Sequence, residues 1–186
     1  MRLSEVAAAM ETDWVEAAMD LLVSEEQRIG TIFFMMSEEN VQLGLAQPWI
    51  KFGTDAGGMD PETATGLAHP RGYGTFPRIL GRYVREEGVL GLEEAVRKMT
   101  SAVATRLSIA DRGVLRPGMY ADLVVFDPET VIDRATFEAP HQVSAGIHHV
   151  FVNGQAVVRD GTHTDATPGM VVRGPGYRPD RPWEAR

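Results

Sequence analysis

Cysteine is absent from this 186-residue sequence, and its absence excludes disulfides, thiolate metal ligands and cysteine nucleophiles together. Basic residues are scarcer than acidic ones, 18 against 26, which leaves a net charge of −8. The basic residues form no run, so we do not expect binding to a nucleic-acid backbone. Every apolar stretch is much shorter than the roughly 20 residues that a membrane-spanning helix needs. The N-terminus is a poor signal peptide. We expect a cytoplasmic protein with neither nucleic-acid nor membrane partners.

Two short helices are predicted near the N-terminus. Asp13 is an N-cap residue, and Glu16 completes a capping box, so the pattern predicts a helix over residues 13–22. Ser37 is the predicted cap of a second helix, which ends before Pro48.

Two apolar runs predict strands that alternate with these helices. Residues 30–36, "GTIFFMM", and residues 49–54, "WIKFGT", are typical of strands covered on both faces in a parallel sheet. The order helix, strand, helix, strand indicates an α/β fold, either doubly wound or barrel. Functional groups gather at the carboxyl ends of strands in both folds, and Asp55 follows the second run directly. From position alone, Asp55 is either a catalytic or metal-facing carboxylate or the cap of the Gly-rich turn after it.

The segment that follows, "AGGMDPETATGLAHPRGYG", is a long predicted loop, and long loops are usually functional or disordered. Its end brings His69, Arg71 and Tyr73 into five residues. Arginine suits a bidentate grip on a carboxylate, and the alternative is a solvated surface side chain. Thr75 is the predicted cap of the next helix. Another helix is predicted from Leu92, in which "EEAVRKM" indicates a solvated face.

The C-terminal part changes to β patterns. "YADLVVFDP" predicts a strand, and "HHVFVNGQAVVRDG" predicts a hairpin that turns at Asn153-Gly154. His148 and His149 are adjacent, so on a strand they point to opposite sides and do not form one chelating site. A structural role is the preferred interpretation for four histidines: His141, His148, His149 and His163. Two parallel strands make a poor sheet, so the sequence is predicted to start partway through a larger architecture.

The sequence resembles the D-aminoacylases, which are N-acyl-D-amino-acid deacylases of the amidohydrolase superfamily. Three stretches carry the resemblance: "GTDAGG", the long run from "HPRGYGTFPRIL" to "FEAPHQ", and "VFVNGQAVVRDGTHTDATPGMVVRG". It extends over residues 13–174. A more general pattern over residues 113–127 is shared across many amidohydrolases and names only the superfamily.

The resemblance implies a fold and its division. The family folds as a metal-dependent (β/α)₈ barrel with a small β-sandwich built from both chain ends. This sequence is expected to supply the last βα units of the barrel over residues 1–110. It would add the C-terminal part of the sandwich over residues 111–174 and an extended tail over residues 175–186.

The resemblance also implies chemistry. In the family a metal-activated water attacks the amide of an N-acyl-D-amino acid, and an aspartate carries the proton to the leaving amine. Asp55 matches that aspartate and is the one metal ligand that the resemblance places in this chain. Arg71, Tyr73 and His69 are expected to bind the small-molecule substrate, with Arg71 gripping its carboxylate.

The departures from the family set the remaining expectations. The family has further metal ligands, and none of them has a counterpart here: an H-x-H pair, a cysteine and two further histidines. Two positions also differ from the family's usual residues. Gly72 stands where the family usually has serine, and Ala56 stands where it usually has glycine. A zinc site needs about three protein ligands, so we expect this chain alone to bind no zinc stably and to be inactive. One alternative is a non-catalytic, self-associating remnant of the fold, whose exposed strands predict a homo-oligomer. The other is an amidohydrolase that acts on a cyclic amide.

Overall fold

The computed structural model of the chain describes residues 1–27, 29–58, 60 and 63–177, and it divides into two compact units. The units are Met1–Ser37 and Glu38–Arg186. Within the described ranges no helix is long and apolar enough to cross a membrane.

The first unit contains two packed helices. Helix α1 spans Leu3–Ala9, which the sequence patterns did not predict, and α2 spans Trp14–Glu25. The carboxylate of Asp13 accepts hydrogen bonds from the backbone N–H groups of Val15 and Glu16, at 2.8 and 3.2 Å. The predicted N-cap and its helix are therefore confirmed, and the helix continues one turn beyond its predicted end.

Residues 30–36 do not form the predicted buried strand. They have no regular secondary structure, and Phe33, Phe34 and Met35 are 72%, 69% and 82% exposed. A parallel strand takes its hydrogen bonds from neighbouring strands and its burial from helices on both faces. No described residue pairs with this segment in a sheet, so the strand prediction is wrong for the chain as it stands.

The second unit begins with helix α3, Glu38–Ala46, directly after the predicted cap at Ser37. The next segment, residues 49–54, was also predicted to be a buried strand, and this prediction is wrong for the same reason. Trp49 is 67% exposed, and the segment belongs to no described sheet. Its half-buried Phe52 packs against the hydrophobic core.

Helix α4 spans Arg71–Arg78 and continues as a π-helix over Ile79–Glu86. The helix begins five residues earlier than predicted, with Pro70 rather than Thr75 at the cap position. The Thr75 hydroxyl instead donates to the Arg71 carbonyl oxygen at 2.9 Å. Pro77 lies inside α4 and has no N–H for an intrahelical bond, and the π-helical register follows it.

Two further helices follow, α5 over Leu92–Met99 and α6 over Ser101–Arg106. The predicted solvated face of α5 is only partly right: Arg97 pairs with Glu94 at 2.6 Å, whereas Lys98 is fully buried. The core cluster of this unit joins α3, the π-helix, α5 and one loop residue: Leu45, Ile79, Leu80, Tyr83, Ala95 and Val131.

The C-terminal strands form an antiparallel sheet in the order β1-β2-β3-β4. The strands are β1 Leu123–Phe126, β2 Ile147–Val152, β3 Gln155–Arg159 and β4 Thr162–His163. Asn153 and Gly154 adopt left-handed backbone angles, with φ of +51° and +80°, and Val152 pairs with Gln155 across the turn. The predicted strand and hairpin are confirmed.

The described chain thus combines helices with one small antiparallel sheet. The finer assignment of residues 1–110 to barrel units and of residues 111–174 to a sandwich stays a prediction. Most of the predicted tail, residues 178–186, lies outside the described residues.

Candidate active site

Asp55 lies in an exposed segment between α3 and α4. Its backbone is left-handed, with φ of +47°, which aspartate tolerates better than most residues. The side chain is 89% exposed, and its Oδ2 lies 2.9 Å from Nη2 of Arg71. The hydroxyl of Thr54, rather than the carboxylate, accepts the N–H of Ala56 at 3.3 Å. The structure therefore directs the Asp55 carboxylate towards Arg71 and leaves Thr54 to close the turn.

Arg71 is held at the first turn of α4. Its backbone N–H donates to Nδ1 of His69 at 3.1 Å, and its carbonyl accepts from Thr75. Burial and the neighbouring Arg71 guanidinium lower the pKa of His69 and so favour the neutral imidazole, whose Nδ1 can accept that hydrogen bond. His69 also packs edge-on against Phe137, with ring centroids 5.1 Å apart. The backbone of Arg71 is thus fixed while its side chain, 42% exposed, extends to Asp55.

A pocket of about 390 Å³ lies beside Arg71. Arg71, Thr75 and Arg78 line it from one face of α4, and Asp133 and Phe137 line it from the opposite side. Nη1 of Arg78 lies 2.9 Å from Oδ2 of Asp133, whose side chain is 8% exposed. Burial acts to lower the pKa of Arg78, but the hydrogen bond and charge of Asp133, together with a hydrogen bond to Tyr83, outweigh burial and raise it. The pocket therefore has one paired guanidinium in its wall and a second, Arg71, at its edge.

Tyr73 is bonded to the C-terminal part of the chain. Its hydroxyl lies 3.2 Å from Nδ1 of His141, and Nε2 of His141 lies 2.8 Å from the carbonyl oxygen of Gly66. A carbonyl oxygen can only accept, so Nε2 carries the proton and, in the neutral imidazole, Nδ1 accepts from Tyr73. This chain of two hydrogen bonds ties the loop before α4 to His141.

The structure brings together three of the four residues proposed from the sequence: Asp55, Arg71 and His69. Tyr73 instead contacts His141. Sequence reasoning missed the other side chains of the pocket and its neighbourhood: Arg78, Asp133, Phe137 and His141. The spacing of Arg71, Thr75 and Arg78 at i, i+4 and i+7 was an available signal, because these positions share one face only if the helix begins at Arg71.

The described residues do not by themselves fit a zinc site. Among them no group of three or more His, Cys, Asp or Glu side chains could hold a metal ion. The nearest charged partner of Asp55 is a cation, Arg71, whereas zinc needs about three ligands from the protein.

The chain belongs to the amidohydrolase family, whose profile matches residues 26–158. A D-aminoacylase from Alcaligenes xylosoxydans xylosoxydans is 48% identical over 151 residues, which cover 81% of this chain and 30% of that enzyme. The chain thus spans about a third of the length of the relatives it matches.

Solved structures extend the likeness to three dimensions. A D-aminoacylase studied for its binuclear metal centre matches with a TM-score of 0.77 and 44% identity, over 88% of this chain and 32% of that one. The N-acyl-D-glutamate deacylase of Bordetella bronchiseptica matches with a TM-score of 0.72 and 43% identity, over 83% of this chain and 31% of that one. The latter structure holds zinc and a phosphonate mimic of the tetrahedral intermediate.

Proposed function

We propose that this chain is the C-terminal portion of a metal-dependent amide hydrolase that converts an N-acyl-D-amino acid and water into a D-amino acid and a carboxylate. The observation that carries the proposal is the 2.9 Å pair between Asp55 and Arg71, two residues of separate motifs that bear the family resemblance. The named relatives, a D-aminoacylase and an N-acyl-D-glutamate deacylase, favour this substrate class over a cyclic amide.

Asp55 is the proton carrier in this proposal. One of its carboxylate oxygens accepts a proton from the attacking water and later donates it to the nitrogen of the leaving amine, as a general base and then a general acid. A metal held in the complete enzyme would supply the lowered pKa of that water. The exposure of Asp55 supports the proposal, because a carboxylate of this role must be open to the substrate.

Arg71 is the residue that binds the substrate's carboxylate. A guanidinium holds a carboxylate through two parallel N–H···O bonds, and in the free chain the carboxylate it holds is Asp55. The substrate's carboxylate takes the place of Asp55 at Arg71, and the displaced Asp55 becomes free for proton transfer. His69 fixes the backbone of Arg71. Tyr73 follows two residues later in α4 and in this proposal helps to position the substrate, with its hydroxyl held by His141.

The missing partners of the site belong to the part of the protein that this chain does not span. In this proposal residues 30–36 and 49–54 become parallel barrel strands once neighbouring strands are supplied. Their apolar composition and present exposure support this assignment. Asp55 would be one ligand of the zinc, and the other ligands would come from the part that this chain does not span. In the same proposal β1–β4 form the C-terminal share of the sandwich.

Two assays test the proposal. The purified chain with added Zn²⁺ should not hydrolyse N-acetyl-D-amino acids. A chimera in which this chain replaces the matching part of the Alcaligenes D-aminoacylase should hydrolyse them, and should spare the L enantiomers. Turnover by the chain alone would contradict the need for further ligands. A folded, zinc-loaded chimera without activity would contradict the function itself.

A second candidate function is self-association without catalysis. It is favoured by the exposed apolar side chains of residues 32–36 and by the open edge of β1, where Val124 and Val125 are 55% and 47% exposed. Light scattering at micromolar concentration should then show a homo-oligomer. A stable monomer at that concentration would remove this candidate.

A further inference from the structure

Lys98 is a fully buried lysine on α5, with no exposed surface. Burying an ammonium group is costly unless hydrogen bonds and charges compensate it. The contacts of Lys98 therefore indicate what the buried charge stabilises.

Those contacts converge on one short segment. The ammonium donates to the carbonyl oxygens of Leu45, at 2.5 Å, and Gln47, at 2.7 Å. It also lies 4.6 Å from the ring centroid of Phe52. The carbonyl oxygen of Lys98 accepts the backbone N–H of Phe52 at 3.4 Å. Side chain and backbone of Lys98 thus hold both ends of residues 45–52.

The carbonyl partners explain why a cation is used. Leu45 lies in the last turn of α3, and Gln47 follows its end. The last carbonyl groups of a helix have no intrahelical partner and carry partial negative charge, so they bind a cation favourably. An apolar side chain of similar volume would fill the space but would remove the ammonium from both carbonyls, and the Gln47 carbonyl would retain only the backbone N–H of Ile50, at 3.3 Å. Burial lowers the pKa of Lys98, against a smaller opposing effect of Glu94.

We propose that Lys98 is a positioning residue that anchors the segment leading to Asp55 and so sets where the Asp55 carboxylate meets Arg71. The helices α3 and α4 end and begin at Ala46 and Arg71. Besides Phe52, this connection is held at Pro48, whose carbonyl oxygen accepts from Arg97 at 3.1 Å, and at Gly66, whose carbonyl oxygen accepts from His141 at 2.8 Å. Both contacts are further along the chain from Asp55 than Phe52 is. With the anchor, only Gly53 and Thr54 separate a fixed residue from Asp55. The functional importance of this placement depends on the proposed function, but the anchoring does not.

Hydrogen exchange on the full chain tests the anchor, with Lys98→Met as the variant and Lys51→Met as the matched control. Lys51 lies on the same segment but is exposed, with its ammonium bonded to the Trp49 carbonyl at 2.8 Å. Lys98→Met should speed exchange in residues 45–55 by about ten-fold and leave the β2–β3 hairpin unchanged. Lys51→Met should leave both regions unchanged. Unaltered exchange in residues 45–55, or an equal increase everywhere, would overturn the proposal.

A milder variant covers the case in which Lys98→Met does not fold. Phe52→Leu removes the aromatic ring beneath the ammonium and retains both carbonyl contacts. It should speed exchange locally by about three-fold, and no local change would overturn the anchoring.

A second readout uses the absence of native cysteine. Spin labels on the pair Ala56→Cys and Glu93→Cys should give a narrow distance distribution that broadens only with the Lys98 variant. An unbroadened distribution in folded Lys98→Met would also overturn the proposal. In an active chimera, Lys98→Met should lower kcat by about ten-fold with little change in KM, because it misplaces Asp55 rather than Arg71. An inactive chimera would contradict the proposed function. The hydrogen-exchange experiment would still test the anchoring by itself.

Discussion

Similar apolar compositions give different structures in two regions of the chain. One region is the hairpin of β2 and β3, and the other is the pair of apolar segments at residues 30–36 and 49–54. The hairpin is paired and partly covered, whereas the two segments are irregular and mostly exposed. In the hairpin, only Asn153 and Gly154 separate the two partners. The parallel strands that the two segments resemble require partners distant in sequence. An apolar pattern alone is therefore not enough to form a strand, because the segment also needs a neighbouring strand to pair with.

The same contrast divides the molecule by function. The paired region is held by local turns and a close contact with the loop at Val131, and it positions no residue proposed for chemistry. The unpaired region carries Asp55, the residue at the centre of the proposed mechanism. Asp55 is held by one exposed ion pair with Arg71 and, through Phe52, by Lys98.

The largest effect should come from Gly146, immediately before β2. Its φ is +77°, and an added Cβ would lie 2.5 Å from the backbone N of Val131. Gly146→Ala should therefore lower the free energy of unfolding by about 3 kcal/mol or more, through strain and overpacking. Urea denaturation followed by circular dichroism measures the change.

Gly53 provides the matched control in the unpaired region. An added Cβ there meets no atom within 4 Å. Gly53→Ala should change the unfolding free energy by less than about 0.5 kcal/mol. Equal losses for the two variants would break the comparison, because they would show that residues 49–54 are packed as tightly as the sheet.

An intermediate effect is expected at Asp122, which supports the hairpin turn. Burial acts to raise the pKa of Asp122, but the N–H of Asn153 and the guanidinium of Arg112 outweigh burial and lower it. A carboxyl group with a lowered pKa in the folded state stabilises the fold above the unfolded pKa of about 3.9 and loses that contribution as pH falls.

Asp122→Asn should therefore reduce stability at neutral pH by about 1 kcal/mol, a small figure because the side chain is one-third exposed. It should also flatten the acid-induced loss below about pH 4. Thermal unfolding between neutral and acidic pH measures both effects. Asp165→Asn, at an exposed position beyond β4, is the control. If the stability of Asp122→Asn depends on pH in the same way as that of the unsubstituted chain, the turn does not depend on this carboxylate.

The smallest effect on stability is expected at Phe33, which is 72% exposed. Phe33→Ser should change the free energy of unfolding by less than about 0.5 kcal/mol. Val131→Ala, at a fully buried valine, should cost about 2 kcal/mol. If the chain self-associates through residues 32–36, Phe33→Ser should weaken association without weakening the fold, as light scattering over a dilution series would show. A large loss of stability in Phe33→Ser would mean that this segment is buried.

The sequence predicted those features whose physical cause is local. The cap at Asp13, the helix after Ser37 and the turn at Asn153-Gly154 each depend on residues within a few positions, and all appear in the structure. The two buried strands failed because their causes, neighbouring strands and covering helices, are not local.

The candidate site was predictable only in part. Asp55 and Arg71 could be named from their motifs, but no pattern fixes a contact across the loop between them. Lys98 was assigned to a solvated face because its neighbours on α5 are charged. Its burial depends on two carbonyl groups at the end of α3, which helical periodicity cannot reveal.

The most direct test of the account is the kcat of the D-aminoacylase chimera with Asp55→Asn. The amide keeps the size of the side chain but cannot carry the proton, so kcat should fall by about a hundred-fold or more while KM stays within about three-fold. Arg71→Lys in the same chimera should instead raise KM, because lysine cannot make the bidentate contact. A chimera whose kcat is unchanged by Asp55→Asn would contradict the assignment of Asp55 as the proton carrier.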